Sequence, residues 1–407
     1  MNLTTPMKIR TAIALPGTLA AWLCLTATLS AATGTTTAPA AVRLDLAAID
    51  HDRILRAAGD ALRQEPVAIT TVRAKLSEGG LHDFYSNGDY WWPNPNTSNG
   101  LPYIQRDGQT NPENFTAHRQ IIRQLSDAIA ALGAAYKITG DDKYAAKAAA
   151  LLKVFFLDDA TRMNPTLQYA QAIPGVSPGR GIGIIDTLHI IEIPKAVEAM
   201  AKAPAFTPEL MGGLKKWFAD YVVWMRTSKN GNEEANAGNN HAVSYWLQVA
   251  VFAEFTGDEP NLTECRRHFT EVFVPKQMTN DGSFPAELRR TKPYGYSTFQ
   301  LDNMVTLCQV LSTRDHDLWH YTLPDGRTIR KAMEFMYPYW ADKSTWPRQP
   351  DVQAWDGWPA RQPSLLFAGL AFDEPKYLAL WQKLPADPVN EEVRRNIAIT
   401  QPVIWIK

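Results

Sequence analysis

The run Phe115-Thr-Ala-His-Arg-Gln-Ile121-Ile122-Arg-Gln-Leu125-Ser-Asp-Ala-Ile129-Ala-Ala-Leu132-Gly-Ala-Ala-Tyr136-Lys-Ile-Thr139-Gly140-Asp141-Asp142 sets the architecture. Ile121, Ile122, Leu125, Ile129, Leu132 and Tyr136 recur at spacings of three and four, which makes one apolar face of a long helix. Thr139-Gly140-Asp141-Asp142 stops it, and an Ala- and Leu-rich helix follows over residues 143–156. The plan repeats at residues 241–255, which end at Thr256-Gly257-Asp258 before a further helical pattern over 262–273. Residues 185–203, 208–227, 299–312 and 328–339 have the same periodicity, and period-two strand patterns are scarce. Antiparallel helix hairpins joined by short Gly/Asp turns, too irregular for a fixed-period solenoid, predict an all-α fold. The expected form is an (α/α) toroid, an incomplete barrel of hairpins with long loops over its cleft. Those loops, at residues 85–106, 164–183, 282–296 and 346–358, are rich in aromatics and Gly, and loops on a rigid scaffold commonly carry function.

The N-terminus reads as a targeting segment. Lys8 and Arg10 precede an apolar stretch from Thr11 to Leu29 that ends in Ser30-Ala31-Ala32, the layout of a secretory signal cleaved after Ala32. Residues 1–32 are therefore expected to be a signal peptide, 33–45 a flexible Thr/Ala/Pro-rich leader, and 46–407 one domain. The mature protein is expected in the periplasm or outside the cell, as a monomer, without membrane insertion once the signal is removed. Loss of the signal removes two basic and no acidic residues, so 41 basic against 42 acidic becomes 39 against 42, net −3. That balance argues against a nucleic-acid partner. Cys265 and Cys308 would remain, either paired or as buried thiols. No Cys/His zinc spacing is present, and no metal or organic cofactor is expected. Gly179-Arg-Gly-Ile-Gly183 lacks the following Lys-Ser/Thr and any preceding strand, so it is not read as a phosphate loop.

Chemistry concentrates in two runs, Gly238-Asn239-Asn240-His241-Ala-Val-Ser-Tyr245-Trp246 and Glu287-Leu-Arg289-Arg290-Thr-Lys-Pro-Tyr294-Gly-Tyr296. Together they offer amides, an imidazole, guanidinium groups and phenols. In a uronate the proton beside the carboxylate is weakly acidic, and its removal builds charge that fixed donors must stabilise. Asn239, Asn240 and Arg290 can donate to that carboxylate, and His241 can act as a base near neutral pH. Tyr296 can protonate the leaving oxygen, or serve as the base if a cation lowers its pKa. His241 and Tyr245, four apart, share a helix face. Other readings stand beside these. Asn239 or Asn240 can cap the helix, Glu287 can orient Arg290 by an ion pair, Tyr294 can be packing, and Arg289 a solvated charge. Tyr90, Trp91, Trp92 and Tyr103 offer flat faces for sugar rings or form a buried cluster, and Arg106, Gln171 and Arg180 can hold carboxylates. Trp355, Trp358 and Arg361 fit either an extended cleft or core packing.

Asn-Asn-His-x-x-x-Tyr-Trp followed by Glu-Leu-x-Arg-Thr-x-x-x-x-Tyr-Ser-x-Phe resembles the alginate-lyase superfamily. The resemblance extends to Asp89-Tyr-Trp-Trp-Pro93, Leu101-Pro-Tyr-Ile-Gln-Arg-Asp-Gly108, Tyr169-Ala-Gln-Ala-Ile-Pro-Gly175 and Gly179–Asp186, so it spans roughly residues 85–299. It is closest to polysaccharide lyase family thirty-eight, which contains glucuronan and alginate lyases. The resemblance implies an (α/α) toroid in which Asn240 and Arg290 neutralise a carboxylate, with His241 and Tyr296 as base and acid. In family-five alginate lyases the arginine lies seven residues before the tyrosine. Here Arg289 is seven and Arg290 six before Tyr296, so both arginines stay candidates.

The implied activity is β-elimination on a β-1,4-linked acidic polysaccharide, glucuronan or mannuronate-rich alginate. Two rivals compete with it. A glycoside hydrolase on the same toroid would need paired carboxylates, for which Asp186, Glu192 and Glu287 are available. A non-catalytic glycan-binding protein would use the aromatic loops alone.

Overall fold

The computed structural model describes residues 44–406; the expected signal and nearly all of the leader lie outside them. Two turns show how the chain builds its hairpins. The Ala117–Thr139 helix ends at Gly140, whose φ of 70° lets its N–H reach back to the Tyr136 carbonyl, and Asp141 then accepts from Lys143 N to start Asp142–Phe156. The Asn240–Thr256 helix ends the same way at Gly257, φ 77°, and Asp258 caps Glu259–His268 through Asn261 N. A left-handed Gly satisfies the last carbonyls, and the following Asp satisfies the next orphan N–H groups.

Five hairpins follow in order. Ala117–Thr139 pairs with Asp142–Phe156, and Glu192–Met200 is followed by Pro208–Thr227. Asn240–Thr256 pairs with Glu259–His268, Pro293–Leu311 with Ile329–Ala341, and Pro363–Ala371 with Pro375–Lys383. The first members of these pairs touch one another in succession, as the inner row of an (α/α) toroid. The two central ones are buried almost all round: 17 of the 19 residues of Pro293–Leu311 are buried, and 14 of 17 in Asn240–Thr256. A helix with no solvent face is held by packing on every side. The His51–Arg63 helix and the C-terminal turn Pro402–Trp405 both pack on Ala117–Thr139. Lys137 donates to the Val403 and Ile406 carbonyls, and the buried Glu192 accepts from Thr400 and Gln401 N–H groups, fastening the tail.

Strand is confined to short pieces beside the cleft. Tyr85–Asn87 pairs parallel with Tyr169–Ala172, and Trp91–Trp92 antiparallel with Ile104–Gln105. Cys265 and Cys308 are buried free thiols. Among the described residues no helix is long and apolar enough to cross a membrane.

Three expected boundaries move. Residues 185–203 are not one helix: Gly181–Ile191 is 3-10 and α-helix begins at Glu192. Pro194 has no N–H for the Ile190 carbonyl, so a regular α-ladder cannot run through it. Residues 269–277 relax into a π-helix that contains Pro275. The helix expected from 299 begins at Pro293, because Asp351 accepts from the Tyr294 and Gly295 N–H groups and caps it from a distant loop. Residues 293–296, expected in a loop, are therefore the first helical turn. A side chain on Gly295 would meet Asp351 Oδ2 at 2.8 Å, so the cap requires Gly there.

Candidate active site

The starts of the two central inner helices open on one cleft of about 1710 Å³. Asn239, Asn240, His241, Arg290 and Tyr296 line it together with Tyr90, Trp91, Gln171 and Arg180. Residues far apart in the chain thus meet where two helix N-termini present their first turns.

His241 stands on the first turn of its helix, where Asn239 caps through His241 N at 3.2 Å. Its Nδ1 lies 2.7 Å from the buried Glu234 carboxylate. Burial works against the imidazolium, but Glu234 and then Glu287 outweigh it, and the His241 pKa is raised. With Nδ1–H donating to Glu234, Nε2 is the nitrogen left to face a ligand. Asn240 is held on both sides of its amide. Its backbone N–H and its Nδ2 donate to the two oxygens of Glu287, at 2.8 and 2.7 Å. Glu287 therefore positions Asn240, and the expected ion pair with Arg290 is not formed. Burial raises the Glu287 pKa.

Arg290 pairs instead with Asp107, Nη2 to Oδ1 at 2.9 Å, and its Nη2 also donates to the Tyr296 hydroxyl at 3.3 Å. Its guanidinium lies 4.4 Å from the Tyr296 ring centre. Arg289 is exposed and outside the cleft lining, so Arg290 is the arginine that reaches the site. The Tyr296 and Tyr90 hydroxyls are 2.6 Å apart. Burial pushes the Tyr296 phenol well above its usual range, and Tyr90 adds to this when it is the acceptor of the shared bond rather than its donor; Arg290 and Arg395 pull the other way.

The floor of the cleft is an ionic lattice. Arg119 donates to Asp89, to Asp186 and to the Asn87 carbonyl, and Arg395 Nη1 donates to Asp89 Oδ2 at 2.6 Å. Burial opposes the Asp89 charge, yet Arg119 and Arg395 hold its pKa well below the carboxylate range. Arg180 differs: it donates to the Gln171 carbonyl and Oε1, at 2.9 and 3.2 Å, and burial lowers its pKa to about 10. No salt bridge forms between it and a carboxylate among the described residues. Nor is any group of three or more His, Cys, Asp or Glu side chains there placed to hold a metal ion.

Several expected binding residues lie elsewhere. Tyr245 is 1% exposed, with its hydroxyl donating to the Met225 carbonyl; one turn along the helix from His241 is already core. Tyr294 is fully buried against Trp346, Trp355 and Trp358, and its hydroxyl donates to the Tyr339 carbonyl. Two residues along a helix is about 200° of rotation, so Tyr294 and Tyr296 face opposite ways. Trp91 lines the cleft while Trp92 does not, as alternation along a strand dictates. Trp92 stacks instead under Arg106, 4.8 Å from its guanidinium, and neither Arg106 nor Tyr103 lines the cleft. Arg361 contacts Asp50 and Trp381, which is packing.

The three carboxylates considered for hydrolysis are engaged. Asp186 is bound by Arg119 and Ser86, Glu192 by the C-terminal segment, and Glu287 by Asn240. Five site groups are not singled out by the sequence: Arg119, Glu234, Asp107, Lys292 (buried, on Glu392) and Arg395. Asp107 directly follows Arg106 in an aromatic loop, and Glu234 precedes the Asn-Asn-His run, which are weak signals; Arg395 had none.

A family model described as alginate lyase matches residues 70–346. The crystal structure of an alginate lyase from Bacteroides ovatus is 35% identical, with a TM-score of 0.77 over 89% of this chain and 94% of that one. Alginate lyase A1-III from Sphingomonas species A1 is 18% identical, with a TM-score of 0.53 over 81% of this chain and 86% of that one. A tyrosine-to-phenylalanine variant of A1-III, complexed with tetrasaccharide, is 15% identical, with a TM-score of 0.51 over 77% and 84%. The likeness to A1-III concerns the fold alone. No curated protein matches the chain.

Proposed function

The chain belongs to the alginate lyase family, and from that premise we propose that it cleaves a β-1,4-linked polyuronate by β-elimination, leaving a 4,5-unsaturated uronate end. The observation that carries this reading is the meeting of His241, Arg290 and Tyr296 in one cleft, with a phenol 3.3 Å from a guanidinium. Asn239, Asn240 and Arg290 supply neutral and cationic donors for the carboxylate as charge builds on it, without giving up a proton. His241, favoured as imidazolium by Glu234, adds a donor through Nε2. Tyr296 exchanges the proton: in its phenolate form, which Arg290 and Arg395 favour against burial, its oxygen takes the C5 proton, the C4–O4 bond breaks as C4=C5 forms, and the resulting phenol returns the proton to O4, regenerating the phenolate.

One phenol serving both steps requires the C5 proton and the C4 oxygen on the same face. Mannuronate and glucuronate share that relation; guluronate has the opposite one. We therefore favour glucuronan or mannuronate-rich alginate as substrate. Trp91 offers a flat face for a sugar ring, and Arg180, without a carboxylate partner, suits the carboxylate of a neighbouring unit. Engagement of Asp186, Glu192 and Glu287 weighs against paired-carboxylate hydrolysis. The N-terminal layout supports export to the periplasm or beyond.

Initial rates on polymannuronate, glucuronan and polyguluronate test the same-face reading. It requires the first two to exceed polyguluronate; a preference for polyguluronate would overturn it.

A further inference from the structure

The Tyr90 ring has a flat face suited to a sugar, but its hydroxyl lies 2.6 Å from the Tyr296 hydroxyl. Each phenol oxygen also accepts from an arginine: Arg290 Nη2 reaches Tyr296 at 3.3 Å and Arg395 Nη2 reaches Tyr90 at 3.2 Å. Lys292 Nζ lies over both rings, 5.1 and 5.5 Å from their centres. Two phenols thus share one hydrogen bond inside a ring of three cations. Arg395 is brought there by the C-terminal segment, beyond the residues matched by the family model.

We propose that Tyr90 and Tyr296 act as one hydrogen-bonded pair, in which Tyr90 donates to the Tyr296 oxygen whenever that oxygen is negative, and that Arg395 is the positioning residue that holds Tyr90 there. The inference rests on the elimination reading. Arginine can only donate, so the Tyr90 oxygen that accepts from Arg395 has its own proton available for Tyr296. With both phenols neutral, that proton fills the bond between them and leaves the Tyr296 proton for the substrate oxygen. When Tyr296 has given its proton to O4, its phenolate accepts from Tyr90 and Arg290. No net proton is lost to Tyr90; it stabilises charge and transfers none.

The groups facing the pair are consistent with a single shared negative charge. Arg290 carries Asp107, while Arg395 and Lys292 share Glu392. Arg395 also holds Asp89, itself bound to Arg119. Arg290, Arg395 and Lys292 are thus met by Asp107 and Glu392, with Asp89 split between Arg395 and Arg119, which leaves room for one phenolate and little countercharge for a second.

The test is Tyr90→Phe in the mature chain, which keeps the ring over which Lys292 sits. A charge-stabilising donor predicts kcat lower by about a hundredfold at neutral pH, the scale of losing one donor to a developing oxyanion. The limb of the kcat profile that reports phenolate formation should move to higher pH, with KM within about twofold. Arg395→Lys should give an intermediate loss with the same direction of shift. A rise in KM with an unmoved pH profile would overturn the proposal and return Tyr90 to a sugar platform. A substrate-free readout separates this from failure of the elimination reading: ultraviolet titration of phenolate absorbance in wild type, Tyr90→Phe and Tyr296→Phe. The pair predicts that deleting either hydroxyl moves the ionisation of the other; independent ionisations would contradict it whether or not a substrate is known.

Discussion

His241 Nδ1 sits 2.7 Å from Oε1 of the buried Glu234, while the half-buried imidazole lines the cleft from the first turn of the Asn240–Thr256 helix. The carboxylate fixes which ring nitrogen is presented and favours the charged ring. Glu234→Gln keeps the shape and removes the charge, so the His241 pKa should fall. The imidazolium would then be lost at lower pH, and the basic limb of kcat/KM should move down, with about a 10- to 100-fold loss near neutrality. A pH–rate profile of the variant measures this.

Tyr296→Phe removes the oxygen that exchanges the proton and keeps the ring that Arg290 and Lys292 face. Turnover should be abolished while oligosaccharide binding, followed by calorimetry, changes little. An active variant would remove Tyr296 from the chemistry.

Arg290 and Arg289 are neighbours with different surroundings, one facing Tyr296 and Asp107 in the cleft, the other exposed. Arg290→Ala should lower kcat/KM by about 100-fold or more, as for loss of an oxyanion donor. Arg289→Ala should stay within about twofold, by the same steady-state assay.

Asp302 tests the inner row of helices rather than the site. It is buried, its Oδ1 accepts from Ser364, its Oδ2 has no hydrogen-bond partner among the described residues, and burial raises its pKa to about 7. A carboxyl whose folded pKa lies above its ordinary 3.8 stabilises the fold below that value, and this stability is lost as pH rises through about 7. The difference in Tm between Asp302→Asn and wild type should therefore grow in favour of the variant from pH 4 to pH 8. A pH-independent difference would contradict the buried, protonated state.

Much of this was legible in the sequence where the causes are local. Gly140–Asp141 and Gly257–Asp258 announce their turns because one residue supplies φ and the next a cap. Asn240, His241 and Tyr296 could be read because side chains suited to one reaction crowd into two short runs. What could not be read depends on distant partners. Asp351 starts a helix 57 residues away, and Arg395 meets Tyr90 across 305. Tyr245 and Tyr294 were misplaced for a different reason: residue type marked them as capable, but the direction in which each helix enters the core decides what they touch.

The central claim is that the cleft breaks a glycosidic bond by elimination. The most direct measurement is product chemistry from polymannuronate and glucuronan digested in ¹⁸O-labelled water, with ultraviolet absorbance followed in parallel. Elimination predicts rising absorbance from the conjugated unsaturated uronate and no label introduced by bond cleavage. New reducing ends with one labelled oxygen per cleavage and no absorbance would mean hydrolysis, and would contradict the account.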